Sequence, residues 1–430
     1  MSRMTLYQIL PRLWGEGRFS SLDDAFLAHL GSLSVDVVWY TGIPRHASGK
    51  SFVKGDPGSP YAISDYYDVN PYLADRPEER MAEFEALVKR THAAGMKVVT
   101  DFVPNHVSPD NVNGIPVFDR WDYDWTDTRK VDWSDPRTVP AMADILRFWA
   151  SEGVDGFRCD MVELVPVEKL AELISAVRRD YPGLIFISEV YETASYARYA
   201  DAGFDLLYDK SGFYDIARDV MTRGDSARRF TWNWQSLGPL QPVMLNFLEN
   251  HDERRFASVQ FASSPSRAYA AMAVAALFNG ASVMLYAGQE VGERAAEDSG
   301  GRTSIFNFCH PESLVRLFRE IHGEKALLAE ERAVSARYRE LLATAARPPF
   351  SDGRNYDLCW CQGEGFDPDR HFAFVRYDDA DDAEMVICNF SGEAARIRVS
   401  TPGGEAFPSL VYEAMVEAWD YKILKMNGNE

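Results

Sequence analysis

The chain has 430 residues, 46% of them apolar, which suits one barrel of about 250 residues plus additions and exceeds what a single small domain needs. Its 65 Asp and Glu against 45 Lys and Arg give a formal charge of −20, which repels a nucleic-acid backbone or an anionic membrane and favours a neutral, hydroxyl-rich ligand. Five cysteines, an odd number with Cys159 inside a strand pattern, argue against a disulfide framework and for a reducing compartment, the cytoplasm by default.

The amino-terminal stretch MSRMTLYQILPRLWG holds no apolar run of signal-peptide length, so no export signal is expected. From there, short β-branched or apolar runs alternate with helical patterns, the mark of parallel βα units. Eight strands are expected: TLYQIL (5–10), VDVVWY (35–40), KVVTDF (97–102), VDGFRC (154–159), LIFISE (184–189), FDLLYD (204–209), PVMLNFLE (242–249) and SVMLYA (282–287). Amphipathic stretches such as EERMAEFEALVKRTHAAG and TVPAMADILRFWASEG lie between them, each ending at a Gly suited to the position just past a helix. The most apolar stretch, AYAAMAVAALFNGASVMLYAG, is interrupted at Asn279 and Gly280 and reads as a buried helix followed by the eighth strand, not a membrane span.

Two connections are long for βα loops, one after the second strand and one from Pro104 to about Arg137 after the third. Beyond residue 345 the pattern changes to alternating strands, HFAFVRYD, AEMVICNFS, AARIRVS, SLVYEA and WDYKILK, which predict a small β-sandwich. The expected architecture is therefore an α/β chain. A (β/α)8 TIM barrel over 1–344 carries a short insertion at about 104–137, and an antiparallel β-sandwich domain follows over 345–430. Cys359 and Cys361 have no second Cys or His pair at zinc-ligand spacing.

Four segments fall at the carboxyl ends of the third, fourth, fifth and seventh strands: DFVPNHV (101–107), GFRCD (156–160), FISE (186–189) and FLENHD (247–252). In a barrel such residues converge on one mouth. A single carboxylate after a strand is usually a cap or a solvated loop group; several acids with two His and an Arg on one face are not. Retaining cleavage of a glycosidic bond needs one carboxylate to attack and one acid to protonate, about 5 to 5.5 Å apart, which adjacent strands can supply. Asp160 is the better nucleophile, because Arg158 two residues earlier can hold its charge and lower its pKa. Glu189, preceded by Phe186 and Ile187 and with no adjacent cation, is the better protonated acid. Asp252, His106 and His251 are candidate partners for sugar hydroxyls.

These segments resemble the four short conserved regions of the α-amylase family of glycoside hydrolases. Asp101, Asn105 and His106 match Asp-x-x-x-x-Asn-His; Gly156 to Asp160 match Gly-Phe-Arg-x-Asp; Glu189 ends the fifth strand; Asn250, His251 and Asp252 match Asn-His-Asp. GSPYAISDYYDVNP resembles the second-strand loop, YAGQE (286–290) the eighth-strand motif, and the strand-rich tail the usual C-terminal domain. The resemblance implies a double displacement with Asp160 as nucleophile, Glu189 as acid/base and Asp252 as transition-state stabiliser. It implies substrate-site roles for Tyr61, His106, Arg158 and His251, structural roles in the site for Asp101 and Asn250, and a place near the next sugar for Arg255.

The implied substrate is an α-1,4-glucan or maltooligosaccharide, with neither nucleic acid nor membrane as partner. No cofactor is required; calcium is the one candidate ion, with Asn105 as its matched ligand and loop bracing as the alternative role for that Asn. Two positions depart from the family: Glu163 and Leu164 stand where many endo-acting amylases have Lys-His, and the insertion that usually supplies calcium ligands is short. Within that insertion Trp121, Tyr123, Trp125 and Trp133 are candidates for a sugar platform or for packing onto the barrel. Transglycosylation fits the four segments as well as hydrolysis does, whereas a catalytically dead glucan-binding barrel fits poorly, since all three acids are present. Endo or exo action and oligomeric state are not written in the sequence.

Overall fold

The computed structural model describes residues 3–122, 125–378, 382–404 and 407–426. In chain order the strands are β1 (Thr5–Ile9), β2 (Val37–Tyr40), β3 (Pro44–His46), β4 (Ile63–Val69), β5 (Lys97–Phe102), β6 (His106–Val107), β7 (Val117–Asp122), β8 (Trp125–Val131), β9 (Gly156–Cys159) and β10 (Ile185–Ser188). They continue with β11 (Leu206–Tyr208), β12 (Met244–Phe247), β13 (Ser282–Tyr286), β14 (Arg354–Asp357), β15 (His371–Tyr377), β16 (Ala383–Asn389), β17 (Ala395–Ser400), β18 (Val411–Val416) and β19 (Tyr421–Lys425). A closed parallel barrel runs in the order β1, β13, β12, β11, β10, β9, β5, β2. All eight expected barrel strands are present, trimmed by a residue or two at several ends. Apart from Lys97 every residue in them is buried, which is why they read as nearly continuous apolar runs. Among the described residues no helix is long and apolar enough to cross a membrane.

By contacts the chain forms two compact units. The first comprises Leu6–Tyr208 and Arg302–Leu327. Its helices Arg80–Ala93 and Thr138–Ser151 end as expected, at Gly95 and Gly153 with φ of +82° and +93°, a left-handed turn that a side chain would strain. The loop after β2 carries the β3–β4 hairpin, and the insertion after β5 is a three-stranded sheet in the order β6, β8, β7. β9 lies between β5 and β10, with Arg158 in register with Asp101 on one side and Ile187 on the other. The same ladder continues past the strands: Asp160 N–H donates to Phe102 O at 2.9 Å and Glu189 N–H to Cys159 O at 3.2 Å. Both residues therefore leave the barrel on fixed backbone.

The second unit comprises Met1–Thr5, Asp209–Gly301 and Leu328–Glu430. It holds β12, β13 and a C-terminal β-sandwich made of an antiparallel sheet β14–β15–β16–β19 and the pair β17–β18. Ala373, Val375, Met385 and Ile387 from the larger sheet meet Ile397 and Val399 in the sandwich core. The opposite face of β15 is buried as well: Phe372 and Phe374 lie 4.8 and 5.1 Å from the ring of Phe278, which ends the helix Tyr269–Leu277. The polar strand β14 had no alternating apolar pattern to announce it.

At Gly156 β9 runs tight against β10: a Cβ there would stand 2.5 Å from the carbonyl oxygen of Ile185. Gly156→Ala is therefore expected to destabilise the fold by about 2 kcal/mol or more through overpacking. Urea unfolding measures it; an unchanged midpoint would show that the strands have room to part.

Candidate active site

At the ends of β5, β9 and β10 three carboxyls surround one guanidinium. Arg158 is 0% exposed. Its Nη1 lies 2.5 Å from Asp160 Oδ1 and 3.8 Å from Asp101 Oδ1, and its Nη2 lies 2.8 Å from Glu189 Oε1. The rings of Trp39, Tyr61 and Tyr208 flank it at 5.4 to 5.6 Å, adding cation–π contacts to the ionic ones. Asp101 Oδ2 accepts from Trp39 Nε1 and Gly42 N, and its Oδ1 accepts from the Tyr61 hydroxyl at 3.3 Å, so this buried acid ties the second-strand loop to the site.

Burial is the largest influence on all three acids and pushes each of them up; Arg158 pulls the other way without cancelling it. Asp101 is carried to about 7. For Glu189 the charge of Asp160 adds to burial in raising it.

Two expectations are corrected here. Arg158 does touch Asp160, but the net shift of Asp160 is upward, because burial outweighs the cation. Glu189 does not lack a cation: β10 neighbours β9, and Arg158 reaches across to it. Glu189 has two further donors that no sequence pattern marks. Met161 N–H donates to Oε2 at 2.7 Å and the Tyr191 hydroxyl to Oε1 at 2.8 Å. Met161 holds a φ of +45°, a left-handed conformation unusual for a side-chain-bearing residue, and this aims its amide at the acid. Glu163, at one of the departing positions, accepts the Glu192 amide at 2.8 Å and braces the loop that follows Glu189.

His106 and Asn105 are both buried on the insertion side, with His106 Nδ1 3.1 Å from Asn105 Nδ2 and the imidazole edge-on to Trp125 at 5.6 Å. Asn105 Oδ1 accepts from Lys130 Nζ at 3.4 Å. An ammonium so close to the expected calcium-binding oxygen would repel a divalent cation, and among the described residues no group of three His, Cys, Asp or Glu is arranged to hold a metal. Asn105 Oδ1 thus already faces a cation, the Lys130 ammonium. Trp133 packs inward with its indole N–H on Pro104 O at 3.0 Å; Tyr123 and the side chain of Trp121 lie outside the described residues.

In the other compact unit, the turn after β12 is organised by Asn250, whose Oδ1 accepts the amides of Asp252 and Glu253 at 2.8 and 2.9 Å. Buried His251 places Nε2 3.1 Å from Asp252 Oδ2, and the Asp252 side chain is 40% exposed, the most open of the candidate acids. Arg255 is corrected: instead of reaching a sugar it is fully buried, 3.0 Å from Glu249 Oε2 and stacked 3.9 Å from the Tyr286 ring centre.

The family profile for the α-amylase catalytic domain matches residues 25–116 and 121–337, most of the chain. The chain belongs to the α-amylase family. Among its relatives is an α-amylase, MalA, of Haloarcula japonica, 27% identical over 94% of this chain and 58% of the relative. Maltase A2 of Drosophila melanogaster is 24% identical over 52% of this chain and 46% of its own length. The chain thus spans about half the length of these curated relatives. In fold it matches the crystal structure of a maltogenic α-amylase, AmyB, from Thermotoga neapolitana, with a TM-score of 0.74 and 24% identity, covering 98% of this chain and 96% of that one.

Because Asp101 titrates near 7 in the folded chain and near 3.8 when unfolded, the folded state keeps an extra proton in that window and loses the associated stability as pH rises through it. Asp101→Asn is expected to make the unfolding temperature depend less on pH between about 4 and 7 than it does in the parent chain. Thermal denaturation across a pH series measures this, and equal slopes would mean that Asp101 is ionised throughout.

Proposed function

We propose that the chain is a retaining α-glycosidase of α-1,4-linked glucans or maltooligosaccharides, working by double displacement. The Asp160–Glu189 pair carries this reading: two carboxyls on adjacent strand ends meet one buried guanidinium, and burial with the charge of Asp160 raises Glu189. Ionised Asp160 attacks the anomeric carbon while Glu189 gives its proton to the departing glycosidic oxygen. Glu189 is then a carboxylate, stabilised by Arg158, the Tyr191 hydroxyl and the Met161 amide. It takes a proton from the water that displaces Asp160, and two inversions at one carbon restore the α configuration.

Asp252 in this reading stabilises the flattened ring through its hydroxyls, with His106 and His251 as further partners whose bonds tighten in the transition state. Tyr61 offers a ring face to the sugar being cleaved. Relatives described as amylase and maltase support an α-glucan substrate.

We also infer that Lys130, not a metal, supplies the positive charge at Asn105. Dialysis against EDTA is expected to leave the unfolding temperature where it was, because no bound ion contributes linkage free energy. A fall on chelation that added calcium reverses would overturn this.

Glu189→Gln is expected to slow maltooligosaccharide cleavage by about 10² to 10⁴, the usual contribution of an acid/base group. An α-glucosyl fluoride, whose leaving group needs no proton, should still load Asp160. Azide should then restore turnover and yield an α-glucosyl azide, and Asp160→Asn should give no such rescue. Equal impairment on both substrates without an azide effect would mean that the acid is another residue.

A further inference from the structure

One ion pair outside the reaction chemistry joins three segments distant in sequence. Lys54, in the loop between β3 and β4, places Nζ 3.1 Å from Asp127 Oδ1 on β8. The Asp127 side chain is 2% exposed and that of Lys54 is 42% exposed. The same ammonium lies 5.8 Å from the ring centre of Trp125 and 6.0 Å from that of Phe306. Beside it Gly55, at φ +68°, is pressed so closely on the Phe306 backbone that a Cβ would sit 1.7 Å from the carbonyl oxygen. The second-strand loop, the insertion sheet and the segment around residue 306 are therefore fastened at one lysine. A carboxylate as buried as Asp127 leaves a costly uncompensated charge if that lysine is lost.

The barrel order says on which side of the reacting bond this fastening lies. β2, β5, β9 and β10 are consecutive neighbours; Asp160 follows β9 and Glu189 follows β10. The leaving group departs toward its proton donor, hence toward β10, and the sugar that becomes bonded to Asp160 extends the other way, toward β5 and β2. Two of the three fastened segments, the loop after β2 and the insertion after β5, arise there. The loop after β2 delivers Tyr61 to Asp101, and β8 delivers Trp125 to His106.

We propose that the Lys54–Asp127 latch closes the glycone side of the site, so that it takes the non-reducing end of an α-glucan and not the interior of the chain. Trp125 and Phe306, held under and beside the ammonium, form the wall against which the terminal sugar stops. This rests on the glycosidase reading above.

The test compares maltoheptaose with maltoheptaose carrying a 4,6-O-ethylidene group on its non-reducing glucose, products being separated by chromatography. The parent chain should cut the free oligosaccharide and leave the capped one at least about tenfold slower, as a filled pocket rejects an added group. Lys54→Met, which keeps most of the side-chain bulk, should raise the ratio of capped to free cleavage by about tenfold, with circular dichroism confirming the fold. Capped and free chains cut alike by the parent would overturn the closed wall. A Lys54→Met protein that folds and discriminates as the parent does would overturn the latch. Cleavage of neither oligosaccharide would overturn the glycosidase reading, and this inference with it.

Discussion

A guanidinium with no exposure to water must have its charge met by protein, and Arg158 meets it with the carboxyls of Asp101, Asp160 and Glu189. One positive charge cannot hold three ionised acids in a buried space, so protons stay on the cluster at pH values where free carboxyls would have lost them. In the proposed reading, two carboxyls at the ends of adjacent strands serve as nucleophile and acid. Register makes this possible: β9 aligns Arg158 with Asp101, and the small Gly156 lets β10 come close enough for the guanidinium to span the pair.

Much of this was legible in the sequence, and the pattern of success has a physical reason. Barrel strands covered on both faces are apolar along their length, so all eight stand out, as do the glycines that end Arg80–Ala93 and Thr138–Ser151. The segments around Asp101, Asp160, Glu189 and Asp252 were found because they carry paired acids, His and Arg at strand ends. Spacing along the chain carries no information on what lies across strands or on burial. Two residues of spacing set Arg158 against Asp160 but say nothing of the desolvation that raises the acid, and the cation beside Glu189 sits one strand away. Arg255 looked like a site residue from its distance to Asp252, but its partners, Glu249 and Tyr286, bury it. Met161, Tyr191 and Lys54 had no signal at all, because a hydrogen bond or a latch between loops has no periodicity.

In the proposed reading, the short insertion supplies a charge at Asn105 from a side chain and not from an ion. A calcium ion gathers many oxygen ligands and so imposes its own geometry on a loop. A lysine tethered on β8, which already pairs with β6, brings its charge to Asn105 as part of a sheet whose order is maintained by backbone hydrogen bonds. The His106 ring is positioned by that same sheet, through the pairing of β6 with β8.

The two-sided burial of β15 bears on how such a chain is inherited. One face of the strand fills the sandwich and the other presses Phe372 and Phe374 on Phe278, at the end of a helix beside the barrel strands β12 and β13. A gene truncated before residue 345 would encode a protein with that aromatic floor open to water, prone to association and quick to be degraded. Recombination that swapped the tail for an unrelated module would meet the same obstacle. The strand-rich tail thus keeps that aromatic face out of water, independently of any contact it makes with substrate.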